Sequence, residues 1–446
     1  MKIDLDFAED VVLKALKSGA EQAEVFIRCS KNISVEIKNQ SVDSLKSSSS
    51  SGYSLRVIKG NRLGFSYSTD INEYDSVIKN AVEAADFTDT DIYTDLPEAS
   101  GMTDVEVFDP ELGDIREQDA IERTKLLERY AYDEDERIRK IRKAAGSFTF
   151  SETSIVNSKK IRANYFSTSC SAQIMAVAEH DDDSRIGWDF EGSRFLHDIS
   201  FEEIGRNAAR RALNLLGSRK IQGLRTDVIL DNSVAVDFLG IFASSLSSES
   251  VQKGKSLLKD KLNTKVISSK LNIMDSGLLS GKLGSRPVDD EGVPVTEKKL
   301  IEEGMLRTYL FNTYTAKKSG TVSTGNAVRR GFSSLPTVGT TNFYLGTAPG
   351  VDTFPKDEMF RIIDRGLYIV EAMGVHTANP ISGEFSIGVA GLWIERGVMQ
   401  FPVKEAVISG NIMELFNKVE AVGDDLRFYG NLGAPCLIIS DVDISA

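Results

Sequence analysis

Most of the chemistry-bearing residues gather in one stretch, residues 284–330. Arg286 and Pro287 precede three consecutive acids, Asp289, Asp290 and Glu291, followed by Gly292 and Pro294. A run of this kind reads as loop rather than surface helix. The expected state of the acids is a charged, solvated turn, with cation binding as the sharper alternative. Further on, Thr324-Gly325-Asn326 leads into the pair Arg329-Arg330. The guanidinium forks of Arg286, Arg329 and Arg330, with the adaptable donors and acceptors of Thr324 and Asn326, suit contact with an extended peptide or a partner subunit. The plainer alternative is that they only shape the loops.

Bond-breaking chemistry is harder to find. His180 lies in HDDDS, His197 in LHDIS and His376 in GVHTANPISG, with no HExxH spacing and no second histidine within a helical turn. His376, in a glycine-flanked loop with Glu371 and Glu384 near it in sequence, is the outsider for a metal ligand. Ser244, Ser245, Ser247 and Ser248 have no paired histidine to activate them. Lys253-Gly254-Lys255-Ser256 invites a phosphate-loop reading, but the upstream glycine falls on Ser248 and a helix precedes it where a strand should, so it reads as a helix end.

Composition narrows the class. A chain of 446 residues is too long for one ordinary core, so two or three domains are expected. Its 66 acidic against 53 basic residues give a net charge of −13, which leaves no basic excess for direct nucleic-acid binding. The N-terminus mixes acids with apolar residues, unlike a signal peptide. No run approaches the roughly 18 apolar residues of a membrane span. Cys29, Cys170 and Cys436 form neither a CxxC pair nor an even disulfide framework, which suits a reducing cytoplasm.

Hydrophobic periodicity supplies the elements that must position these residues. Phe7, Val11, Val12, Leu13 and Leu16 recur at helical spacing, extended runs follow at Ala23 to Ile27, Ile33 to Ile37, Tyr53 to Ile58 and Gly64 to Tyr67, and Asp75 to Ala85 is again helical. After a linker the order repeats: helix 117–132, strands near 138–150, 152–157, 160–166 and 170–178, helix 201–216. Gly64-Phe65-Ser66-Tyr67 corresponds to Gly187-Trp188-Asp189-Phe190, so the spacing predicts a duplicated helix–meander–helix unit. From Thr226 onward short strands dominate around one helix, with Asp231 or Asn232 as its cap and Val236, Leu239, Phe242, Ala243 and Leu246 on its buried face. Lys299 to Phe311 reads as a hairpin around Glu302-Glu303-Gly304, and Lys356 to Arg365 as a helix. The class is α+β, with units at 1–100 and 101–222 and a largely antiparallel, β-rich domain at 223–446.

The runs GSRPVDDEGVP, LIEEGMLRTYLFNTYTAKKSG and STGNAVRR resemble the signature of the TldD/PmbA family, whose members were named as modulators of DNA gyrase and resemble metallopeptidase subunits. In the peptidase branch of that family the helix before the signature carries His-Glu-x-x-x-His, a zinc site with a carboxylate beside it. Counted back from Lys253-Gly254, the corresponding positions here are Leu239, Gly240 and Ser244, none of which can bind or activate anything at a metal. That branch also has a cysteine near its C-terminus resembling a third ligand, but in a longer glycine-rich loop absent here, so the role does not pass to Cys436. The resemblance therefore implies the PmbA/TldE branch: a chain with no catalytic residue and no metal of its own, paired in the cytoplasm with a TldD-like subunit that carries the zinc. Such a complex would act on unfolded polypeptides or peptide precursors. The resemblance leaves a homodimer open to the chain when the partner is absent. The rival readings are an independent hydrolase with an unseen site, and a non-enzymatic factor associated with gyrase or an antitoxin.

Overall fold

The computed structural model describes residues 5–445. Helix α1 (Leu5–Lys17), strands β1 (Gln22–Lys38), β2 (Ser41–Lys59) and β3 (Arg62–Ser68), and helix α2 (Tyr74–Ala85) form a first unit. A short α3 (Pro110–Gly113) then precedes α4 (Glu117–Glu134), β4 (Ile138–Asn157), β5 (Arg162–His180), β6 (Asp183–Ser193) and α5 (Phe201–Asn214), which repeat that order. All six strands belong to one antiparallel sheet, ordered β3-β2-β1-β4-β5-β6. The first strands of the two units, β1 and β4, pair antiparallel at its centre, so an approximate two-fold axis through that pair relates the meanders.

The strands are longer than the alternation predicts. The four segments expected between residues 138 and 178 are the two continuous strands β4 and β5, and the two expected before residue 38 are β1 alone. Serines interrupt the apolar pattern without interrupting the ladder: Ser151 pairs with Ser30 on one side and Ser167 on the other. Likewise Ser47 to Ser51 lie within β2, opposite Ile33 to Cys29.

A two-residue period sorts the faces of this sheet. On β1, Val25, Ile27, Val35 and Ile37 join the cores beneath α1, α2, α4 and α5. Glu24, Phe26 and Arg28 point the opposite way, and Phe26 packs against Val288 of the signature stretch. Helix and sheet approach most closely at two equivalent glycines. A Cβ on Gly64 would lie 1.9 Å from the Ala81 carbonyl oxygen of α2, and one on Gly187 would lie 2.2 Å from the Ala208 carbonyl oxygen of α5.

In the C-terminal domain, β7 (Leu224–Leu230) pairs with Arg365–Met373 on one side and Leu437–Ser445 on the other, closing Glu384–Glu395 and Val398–Asn411 into a ring of strands. A second sheet carries β8 (Leu271–Ser276), β9 (Glu297–Glu302) and β10 (Met305–Leu306), with Asn342–Thr347 and Leu432–Ala434 beyond β8. Helix α6 (Asn232–Ser245) follows β7, and its Phe238, Leu239 and Phe242 share one core with Ile273 and Leu345 of this sheet and Ile369 and Leu437 of the ring. The β9–β10 hairpin turns at Glu303 and Gly304, both at positive φ (48° and 77°), as a two-residue hairpin loop requires. Its second strand ends at Leu306 rather than Phe311: the Arg307 and Thr308 amides both reach the Leu300 carbonyl, at 2.8 and 3.4 Å, so one-to-one pairing stops there. The helix expected over 356–365 stops at Ile362, and Arg365 already belongs to the next strand.

Gly187→Ala forces α5 away from β6 and is expected to cost about 1–3 kcal/mol. The check is a lowered thermal midpoint, with Gly64→Ala behaving alike. Unchanged midpoints for both would mean the helices yield freely.

Candidate functional site

The strand-to-helix turn at β7–α6 sets up the first candidate region. Asp231 caps α6, its carboxylate accepting the Ser233 amide at 3.2 Å, as the cap chemistry predicts. Of the three positions expected to stand at the metal motif, Leu239 is wholly buried in the core and Gly240 lies against Leu432. Ser244 is exposed, with its hydroxyl donating to the Ile241 carbonyl at 3.0 Å. A zinc ion needs nitrogen, sulfur or oxygen ligands converging from such positions; a core leucine, a glycine and an outward serine do not fit one. Among the described residues no three His, Cys, Asp or Glu side chains are grouped to hold a metal.

Carboxylates do flank this helix. Asp237 reaches solvent from a recess whose surrounding protein raises its carboxyl to about 6. Burial also raises Glu371, on the neighbouring strand. His376 lies in the turn Val375–Thr377, and its side chain is outside the described residues. His180 and His197 are exposed beside Asp181 and Asp198. Cys436 is buried under Tyr368, where burial and the Asp231 charge push its thiol well up, as an inert core cysteine requires.

The signature stretch holds the larger surprise. Asp289, Asp290 and Glu291 are not a solvated turn: none is more than 1% exposed. They face the outer side of β1 and β2 and complete a buried ion network. Glu24 and Arg56 sit directly opposite each other on β1 and β2, with Arg56 Nη2 2.7 Å from Glu24 Oε2 and Nη1 2.9 Å from Glu291 Oε1. Arg329 donates to Glu24 and to the Asp290 carbonyl, and its guanidinium lies over the Phe26 ring at 4.8 Å. Asp290 also takes Arg28 Nη2 at 3.1 Å, and the Thr313 amide donates to Glu291 at 2.9 Å. Asp289 instead accepts the amides of Glu291, Val293 and Ala327 at 2.9–3.0 Å; burial and the Glu291 charge raise its carboxyl well above the usual carboxylate range, against the pull of Arg286.

The residues read as peptide or partner contacts are thus divided. Arg329 and Asn326 are interior. Asn326 donates to Asp275 at 2.8 Å and to the Gly339 carbonyl at 2.9 Å, and Lys298 closes on the same Asp275 at 3.2 Å. Thr324 is half-buried, its hydroxyl accepting the Phe311 amide at 2.8 Å. Arg286 is mostly buried, 3.7 Å from Asp290, with Nε and Nη2 lacking a partner. Only Arg330 is exposed. The loop-shaping role accounts for Arg329, Asn326 and Thr324. Sequence reasoning missed Glu24, Arg28 and Arg56, which alternate with apolar residues as solvent-facing strand positions do. The one available signal was their opposite charge at facing register, legible only once β1 and β2 are paired.

Models of the PmbA/TldA metallopeptidase domains match this chain in three segments: domain 1 over residues 23–85, the central domain over 110–216 and the C-terminal domain over 223–446. The chain belongs to the PmbA/TldD family. A Buchnera aphidicola protein named Metalloprotease PmbA homolog is 28% identical over 97% of this chain and 95% of its own length. The crystal structure of a Thermotoga maritima protein, described as a candidate modulator of a DNA gyrase, superposes with a TM-score of 0.91 at 27% identity, covering 99% of both chains. TldE from Thermococcus kodakarensis shares the fold, with a TM-score of 0.86 at 20% identity over 99% of this chain and all of that one.

Arg56→Met leaves the Glu291 carboxylate buried without a cation and is expected to cost about 3–5 kcal/mol. In urea unfolding the midpoint falls. Adding Glu291→Gln to that variant recovers part of the loss; a double variant as unstable as the single one contradicts the network's role.

Proposed function

We propose that this chain is the PmbA/TldE-type subunit of a TldD/TldE-type metallopeptidase, without a catalytic zinc of its own. The observation that carries this reading is α6. At the three positions where the peptidase branch presents its histidines and glutamate, this helix offers Leu239 to the core, Gly240 to Leu432 and Ser244 to its own backbone. On this reading the zinc and the proton-transferring carboxylate come from a TldD-like partner. The substrate is an unfolded polypeptide or peptide precursor. Among the described residues no helix is long and apolar enough to cross a membrane. The three thiols, unpaired with one another, favour a cytoplasmic setting.

The test is a three-way comparison on an unstructured peptide: this chain alone, a TldD-type partner alone, and the two mixed. The expected result is no cleavage by the chain, little by the partner and chelator-sensitive cleavage by the mixture, at least about tenfold faster than the partner alone. Cleavage by the chain alone would favour an independent hydrolase. A stable complex without any gain in cleavage would favour a non-enzymatic binding protein.

A further inference from the structure

At the opposite end of α6 from Ser244, roughly 20 Å along the helix, a pocket of about 370 Å³ opens between α5 and the C-terminal domain. That volume lies within the range of about 300–1,000 Å³ usual for small-ligand sites. Its floor is the Asp231 carboxylate, which receives Arg211 Nη2 at 3.0 Å, Lys356 Nζ at 3.0 Å and the Tyr368 hydroxyl. Two cations therefore serve one buried carboxylate. A third, Arg427, enters from the side, held through Nη2 to Asp189 at 2.9 Å and to the Phe190 carbonyl at 3.2 Å.

These cations keep donors in reserve. Lys356 uses one of its three N–H groups on Asp231 and is 39% exposed toward the opening. The hydrogen bonds of Arg427 all go through Nη2, with its guanidinium over the Tyr429 ring at 5.0 Å, which leaves the Nε and Nη1 hydrogens for another acceptor. The side of the pocket formed by the C-terminal domain carries Phe360, Val370, Leu392 and Met399, while Asn207, Arg210 and Asn214 of α5 line the other side. Spare charged donors on one side and a hydrocarbon wall on the other select a ligand with an anionic head and an apolar body. In a chain of net charge −13, a concave surface lined by four basic side chains, Arg210, Arg211, Lys356 and Arg427, against the one acid Asp231 is a departure from the overall balance.

We propose that this pocket binds the carboxylate of an apolar amino acid, its head between Lys356 and Arg427 and its side chain against Leu392 and Met399. A free amino acid and the last residue of a peptide present the same chemistry. The site requires only this chain, so its fate is separate from that of the partner-dependent reading above.

Calorimetric titration of the full chain distinguishes the sources. The probes are acetyl-Ala-Ala-Leu, its C-terminal amide, acetyl-leucine and inorganic phosphate. Saturable binding of the peptide acid is expected, with the amide at least about tenfold weaker because the charge-assisted bonds are lost. Acetyl-leucine binding as well as the peptide would assign the site to single amino acids; weaker binding would assign it to peptide ends. Lys356→Met should weaken the acid by about tenfold. Met399→Glu, at a position 45% exposed and tolerant of charge, should do the same by repulsion without disturbing the fold. Equal binding of acid and amide, phosphate binding as tightly as the peptide acid, no binding at about 10 mM, or both variants binding like the parent chain would overturn the proposal.

Discussion

The buried ion network among Glu24, Arg56, Glu291 and Arg329 is the constraint on which the rest of the structure depends. Taking charges out of water costs several kcal/mol for each ion, and the interior repays this only when every partner is in place. Glu24 and Arg56 come from the N-terminal sheet, while Glu291 and Arg329 come from the signature stretch of the C-terminal domain. Neither side can bury its charges alone. The sheet and the C-terminal domain therefore assemble as one body, and the loop that carries the acids has little freedom. Gly292 takes a φ of 83° within it, where a Cβ would lie 2.6 Å from the Ile161 side chain, so the backbone can approach the sheet only as glycine.

A similar logic governs the β7–α6 turn. Asp231 is a helix cap and also the acceptor for Arg211 of α5 and Lys356 of the C-terminal domain. One residue type, chosen for its fit to a helix start, joins the second unit of the sheet to the central helix. Its position at the base of a pocket follows from that junction.

Local features were legible in the sequence wherever a short-range rule applied. The duplicated order of elements, the Asp231 cap, the glycine turn of the β9–β10 hairpin and the paired glycines at 64 and 187 all rest on neighbours within a few residues or on simple repetition. Strand lengths were not legible, because serine runs such as 47–51 look like breaks although their backbones pair throughout. The acids at 289–291 misled for a deeper reason. The cations that hold them most closely lie far away along the chain, Arg56 being 235 positions from Glu291 and Arg28 262 from Asp290, and nothing local distinguishes a paired buried acid from a solvated one.

The proposed role as a subunit without zinc rests on α6, which offers no metal ligand at Leu239, Gly240 and Ser244. The zinc content of the purified full-length chain, after expression in zinc-supplemented medium and gel filtration without chelator, tests it most directly. Well under about 0.1 zinc per chain is expected for this protein alone, with about one zinc per pair when a TldD-type partner is bound. Close to one zinc on the isolated chain would contradict it.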